Sequence, residues 1–141
     1  MQRFNNLEAY LDEVVETQGK LFDFISHNYP DKDSRDFIIT YMSSKTRRHI
    51  DQSQAYLCTM APKDLWEYFQ QTESYKLKKG ESIKGFAAIW IGEFYAYYQW
   101  YYNMPSSIVI QKVPLDYLLK AYHGLQDLDM RLAVEKVGRV D

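Results

Sequence analysis

Residues able to carry chemistry are thinly spread along this chain. His27, His49 and His123 stand in three separate segments, with no His-x-x-x-His or Glu-x-x-His pair to close a metal site on one helix face. Cys58 is the single cysteine, which leaves no internal disulfide and no cysteine-built zinc site. It lies in the apolar run Tyr56-Leu57-Cys58 and reads as a buried structural thiol. No Gly-x-Ser-x-Gly occurs for an activated serine. The six glycines never fall into Gly-x-Gly-x-x-Gly or Gly-x-x-x-x-Gly-Lys, the loops that cradle phosphates. Acid pairs such as Asp127/Asp129 and Glu13/Glu16 read as helix caps and solvated faces. The expectation is a chain with no catalytic residues, no metal and no cofactor. An enzyme here needs acids or histidines from several helices to converge in one pocket.

What remains are residues suited to recognition. One basic cluster is Lys45, Arg47, Arg48 and His49; a second is Lys76, Lys78, Lys79 and Lys84. Either can contact phosphates or an acidic partner, or simply keep an exposed helix and loop soluble. The first is the better recognition candidate, because arginine makes planar bidentate contacts that lysine cannot. The other resource is aromatic. Tyrosine alone accounts for 13 residues, and the stretch from Phe86 to Tyr102 holds nine aromatic residues and one charge, Glu93. On a helical wheel Phe86, Trp90, Phe94, Tyr97 and Tyr101 form one stripe, expected to face inward. Ala88, Gly92 and Ala96 lie opposite, a small-residue face against which a neighbour can pack closely. Tyr95, Tyr98, Trp100 and Tyr102 do not all fit the inward stripe. With Arg47 and Arg48 they form the expected partner-binding set: exposed rings that anchor a partner, and guanidinium groups that pair with its acids.

The elements that must hold these groups are helices. Leu7, Tyr10, Leu11, Val14, Gln18, Leu21, Phe22 and Ile25 repeat on one helical face, predicting a helix over residues 6–27 with Asn6 as its N-cap. Asn28-Tyr29-Pro30-Asp31 stops it. Asp33 or Ser34 caps a second helix, and Ser43-Ser44 is a break or a bend before a third stretch over residues 44–58. Pro62 suits the first turn of the next helix, and residues 73–85, with two glycines and four lysines, read as a loop. The aromatic helix at 86–102 is expected at the centre. After it, Ser106 or Ser107 caps a short helix whose β-branched run also admits a strand. Pro114 starts another helix with Gly124 just past its end, and Asp127 caps the last, closed by Gly138. The fold class that follows is all-α: a compact single-domain bundle, residues 1–141, of about six or seven helices around residues 86–102.

Composition sets the outer limits. At 141 residues one core can form without staples. A net charge of −2 provides no overall field toward nucleic acid or anionic lipid. The absence of a signal-peptide run, of a long uncharged apolar span and of paired cysteines points to a cytoplasmic protein with no membrane partner.

The C-terminal third also carries a resemblance. Phe94-Tyr-Ala-Tyr-Tyr-Gln-Trp-Tyr-Tyr-Asn, Ser106-Ser-Ile-Val-Ile, Leu115-Asp-Tyr-Leu, Ala121-Tyr-His-Gly-Leu and Ala133-Val-Glu-Lys-Val resemble a group of short, uncharacterised helical proteins of Gram-positive bacteria. In that group an aromatic helix precedes a helix-turn-helix-like unit, and the order of Leu and His at Tyr122-His123-Gly124-Leu125 departs from its pattern. Members are often encoded near candidate ADP-ribosyltransferase-like toxins, which implies an antitoxin-like or accessory role in a bacterial toxin–antitoxin or defence locus. The expected function is therefore a non-catalytic protein-interaction module. The alternative is a nucleic-acid-binding regulator using residues 45–49.

Overall fold

A computed structural model describes residues 5–141, and its described residues form nine α-helices and no strand. A 3₁₀ turn, Leu7–Tyr10, leads into α1, Leu11–Asn28. Asn6 does not cap it with its side chain. Its backbone N–H instead donates to the Asp51 carbonyl at 2.7 Å, so the entry to α1 is tied to the end of a later helix. Helix α2, Ser34–Met42, starts at Asp33, whose carboxylate accepts from the Asp36 N–H.

Ser43-Ser44 is a true break, with Ser44 capping α3, Lys45–Asp51, through the Arg47 N–H. The stretch expected to continue to Cys58 divides again at residues 52–54, where Ser53 takes a left-handed φ of 61°, giving the single-turn α4, Ala55–Cys58. Together with the short α7, this division explains why nine helices replace the expected six or seven.

Helix α5, Pro62–Glu73, carries its proline in the first turn. The loop after it is strapped to the start of α2: Asp33 N–H donates to Lys78 O, Gly80 N–H to Asp31 O, and Ile83 N–H to the Ser34 hydroxyl.

Helix α6, Ala87–Tyr101, is enclosed by α1, by α7 (Ser106–Lys112), by α8 (Leu115–Leu125) and by α9 (Met130–Val137). Residues 106–112 are helical, with the Ile108 and Val109 N–H groups both donating to Pro105 O at 3.1 Å. Neither serine caps α7 with its side chain, because Asp51 reaches over from α3 and its Oδ2 accepts the Ser106 N–H at 3.0 Å. Gly124 lies inside α8 rather than beyond it. The cap of α9 is Asp129, not Asp127, accepting from the Leu132 N–H after a turn at Leu125–Leu128.

The heaviest packing joins α1 and α6. They run in opposite directions and touch where Gly19 meets Gly92: a Cβ on Gly92 would lie 2.6 Å from Gln18 O and 2.7 Å from Gly19 Cα. The small face of Ala88, Gly92 and Ala96 does what its spacing predicts, letting two backbones approach and offsetting the ~1 kcal/mol helix cost of glycine. On one side of this pair Phe22, Phe37, Tyr41, Trp66 and Phe69 build an edge-to-face aromatic cluster from α1, α2 and α5. On the other, Trp90, Phe94 and Tyr98 pack toward α8 and α9, with Trp90 against Tyr122. No helix among the described residues is long and apolar enough to cross a membrane.

Candidate functional site

The partner-binding set expected from sequence does not survive intact, and the reasons are physical. Arg47 is fully buried. Its guanidinium, on α3, donates Nε to Gln18 Oε1 at 2.8 Å, Nη1 to Asp51 Oδ1 at 2.6 Å and Nη2 to Gln99 Oε1 at 2.8 Å. Gln18 in turn donates to Gly92 O at 2.8 Å, and Gln99 Nε2 donates to Asp51 Oδ1. Asn5 closes the far side, donating to Gln99 O and Met104 O. One guanidinium thus ties α1, α3 and α6 together, and its acid partner caps α7. A buried charge persists only when paired and hydrogen-bonded, and inside the chain Arg47 has an acid partner and one acceptor on each of its three guanidinium nitrogens. It has no surface to offer a partner. Arg48, next in sequence, is exposed and remains available.

Tyr95 and Tyr98 are likewise buried to zero exposure. The Tyr95 hydroxyl donates to Val113 O at 2.7 Å, and the Tyr98 hydroxyl donates to Gly138 O at 2.9 Å while accepting from the Val140 N–H. Burial pushes both phenols above the ordinary tyrosine range, so they stay protonated donors that pin α7's end and the C-terminal segment.

Trp100 and Tyr102 are half-buried and do reach the surface. The expected inward stripe is also rotated. Trp90, Phe94 and Tyr98 are its buried bulky row, whereas Tyr97 and Tyr101 are half-exposed and Phe86, just before the helix, is 79 % exposed. The cause is enclosure from both sides, by α1 on the small face and by α8 and α9 on the aromatic face. Only the strip through Ile89, Glu93, Tyr97, Trp100 and Tyr101 is left partly to solvent.

This strip is a ridge with defined edges. Tyr97 and Tyr101 stack with centroids 6.1 Å apart, and Trp100 meets Tyr97 edge-on at 5.4 Å. On the α1 side the Trp100 indole N–H donates to Glu8. On the α9 side the Tyr101 hydroxyl donates to Glu135 Oε2 at 2.6 Å, and Glu135 pairs with Arg131 at 3.7 Å. That hydrogen bond raises the Tyr101 phenol above its usual range. Glu93, half-buried at the strip's N-terminal end, is pushed above the ordinary carboxyl range by burial and then by the charge of Glu16. The ridge is a fixed surface: its rings ride on the helix that the Arg47 node and the Gly19–Gly92 contact hold in place.

The rest of the molecule offers little for catalysis. Among the described residues no three of His, Cys, Asp and Glu come together in a way that could hold a metal. The interior void lined by Val14, Gln18, Tyr41, Leu57, Cys58 and Leu65 is about 10 Å³, room for a single water at most. Burial raises the Cys58 thiol above its usual range, and the thiol donates to Ile50 O, which makes it a poor nucleophile. The groove between residues 82–87 and α8 is open, and His123, Lys84 and Glu81 around it are exposed.

Sequence reasoning missed the Arg47 node, although its signal was present. Gln18 stands in the apolar face of α1 and Gln99 in the aromatic helix. Two amides on faces that should be apolar imply a buried polar partner between them. No family model, curated protein or solved structure matches the chain.

Proposed function

We propose that this chain is a non-catalytic, cytoplasmic protein-interaction module that docks a protein partner on the α6 ridge. The observation that carries the reading is the half-exposed cluster of Tyr97, Trp100, Tyr101 and Tyr102 on a helix whose other faces are immobilised. Rings of this kind supply large contact area at little entropic cost, because their rotamers are already fixed by neighbours. Docking centres on Tyr97, Trp100 and Tyr101, with Tyr102 at the edge and Arg48 as a separate contact on α3.

The antitoxin-like or accessory role implied by the C-terminal resemblance is the most concrete biological form of this reading. A neutralising partner needs a rigid presented surface and no chemistry of its own. The nucleic-acid alternative at residues 45–49 has less to stand on, since its best-placed residue, Arg47, is enclosed and leaves Lys45, Arg48 and His49.

The test is affinity purification from the native host with the wild-type chain and with a Tyr97→Ser/Tyr101→Ser variant of unchanged helical content. The expected result is a stoichiometric protein retained by the wild type and lost from the variant. Equal recovery with both would reject the ridge as the docking surface.

A further inference from the structure

The ridge has a sign as well as a shape. Helix α1 runs opposite to α6 along its edge, so Glu8 lies beside Trp100 and Glu16 beside Glu93. Asp12, one turn before Glu16 on α1, is exposed. With Glu93 on α6 itself and Glu135 on α9, four carboxylates, Glu8, Glu16, Glu93 and Glu135, border the three rings. Two cations stand among them, Lys20 paired to Glu16 at 2.9 Å and Arg131 paired to Glu135. This negative excess is concentrated on one face of a chain whose net charge is only −2.

From this juxtaposition the geometry points to a partner of one chemical kind: a protein segment rich in arginine, its guanidinium groups lying on Tyr97, Trp100 and Tyr101 and pairing with the surrounding carboxylates. The proposal rests on the docking reading above and adds the partner's chemistry. A guanidinium is flat and weakly hydrated, so it stacks on an aromatic face while its N–H edge reaches an acid beside the ring. The rim provides for both at once. The carboxylates of Glu8 and Glu135 each hold a ring in place, yet a carboxylate has about four acceptor positions, which neither the Trp100 bond on Glu8 nor the Tyr101 and Arg131 contacts on Glu135 exhaust. Burial, and then the charge of Glu16, makes Glu93 costly to ionise, and an arriving cation offsets that cost. The same carboxylates repel nucleic acid, acidic peptides and anionic membranes.

The experiment uses the full chain and a labelled twelve-residue peptide alternating Arg and Ser. Equivalents with Lys or Glu in place of Arg are run alongside, and binding is followed by fluorescence anisotropy at low and physiological salt. The arginine peptide should bind in the micromolar range, the lysine peptide several-fold more weakly and the glutamate peptide not at all. Tyr97→Ser/Tyr101→Ser should weaken the arginine peptide by about tenfold, as expected for two lost cation–π contacts. Glu16→Gln/Glu93→Gln should weaken it several-fold, with a shallower salt dependence. Asp64→Asn/Glu67→Gln on exposed positions of α5 should leave it unchanged.

No binding of the arginine peptide overturns the proposal. So does a loss that is as large in the α5 variant as at the ridge, which would mean diffuse attraction. Self-association of the chain that the ridge variants abolish overturns it too, since the occupant would then be a second copy. A host protein that needs Tyr97 and Tyr101 but ignores Glu16→Gln/Glu93→Gln would leave the docking reading standing and reject the basic partner.

Discussion

Replacing Arg47 by methionine tests whether the buried node holds the helices around α6. Methionine approximates the stem of arginine and removes the guanidinium with its three hydrogen bonds to Gln18, Asp51 and Gln99. Asp51 keeps the Ser106 N–H and the Gln99 amide but loses its only countercharge in the node, at a site 4 % exposed. Gln18 and Gln99 each lose the donor to their side-chain oxygen. Removing one partner of a buried ion pair costs about 3–5 kcal/mol, and the stranded amide oxygens keep the estimate toward the upper part of that range. For a chain of this size each kcal/mol moves Tm by about 3 °C, so a fall of about 10–15 °C is expected. Urea unfolding followed by helical circular dichroism and by tryptophan fluorescence gives the free energy directly. Adding Asp51→Asn removes the stranded charge while leaving an oxygen for the Ser106 N–H, so the double variant should recover about 1–2 kcal/mol relative to additivity. A loss below about 1 kcal/mol in Arg47→Met, or strict additivity, would refute the reasoning.

Three further outcomes follow from the same geometry. Gly92→Ala should destabilise by about 1–3 kcal/mol in spite of better helix propensity, because its Cβ meets backbone at 2.6 Å; Gly124→Ala, with nothing within 4 Å, should stabilise by about 0.4–1 kcal/mol, and paired denaturation curves will separate them. Glu93 binds its proton more tightly folded than unfolded, so its ionisation opposes folding as pH rises through the raised folded value; Glu93→Gln should raise Tm at pH 7 and lose that advantage below about pH 4, read from a pH series of melting curves. Cys58 should react with a thiol reagent at mildly alkaline pH only as fast as the chain opens, and promptly in denaturant.

The sequence made the helices legible because their signals are local. Proline at 62, 105 and 114, serine at 43–44 and the apolar period of residues 7–25 place starts, stops and faces without reference to the rest of the chain. The close approach at Gly92 was also legible, since three small residues at a four-residue spacing have few other uses. Its counterpart Gly19 was not, as a lone glycine among charged neighbours has no pattern around it.

Inside and outside on α6 was misjudged because a wheel ranks residues by size and polarity. A tyrosine's place depends on whether a carbonyl waits for its hydroxyl. Val113 and Gly138 provide those carbonyls for Tyr95 and Tyr98, from 18 and 40 residues away. Arg47 and Arg48 are indistinguishable as neighbours in a basic run. Only the acid four residues on, Asp51, favoured Arg47 as the paired one, and its burial depends on two glutamines from other helices. The expected partner-binding set therefore mixes enclosed residues, Arg47, Tyr95 and Tyr98, with residues that reach the surface, Arg48, Trp100 and Tyr102.

The central claim is that the solvent strip of α6 contacts a protein partner in the cell, and photo-crosslinking tests it most directly. Tyr97→p-benzoylphenylalanine is irradiated in living cells of the native host beside a control, Glu67→p-benzoylphenylalanine, at an exposed position of α5. A single adduct of defined mass from position 97 and none from position 67 is the expected result. No adduct from position 97, or the same adducts from both positions, would contradict it.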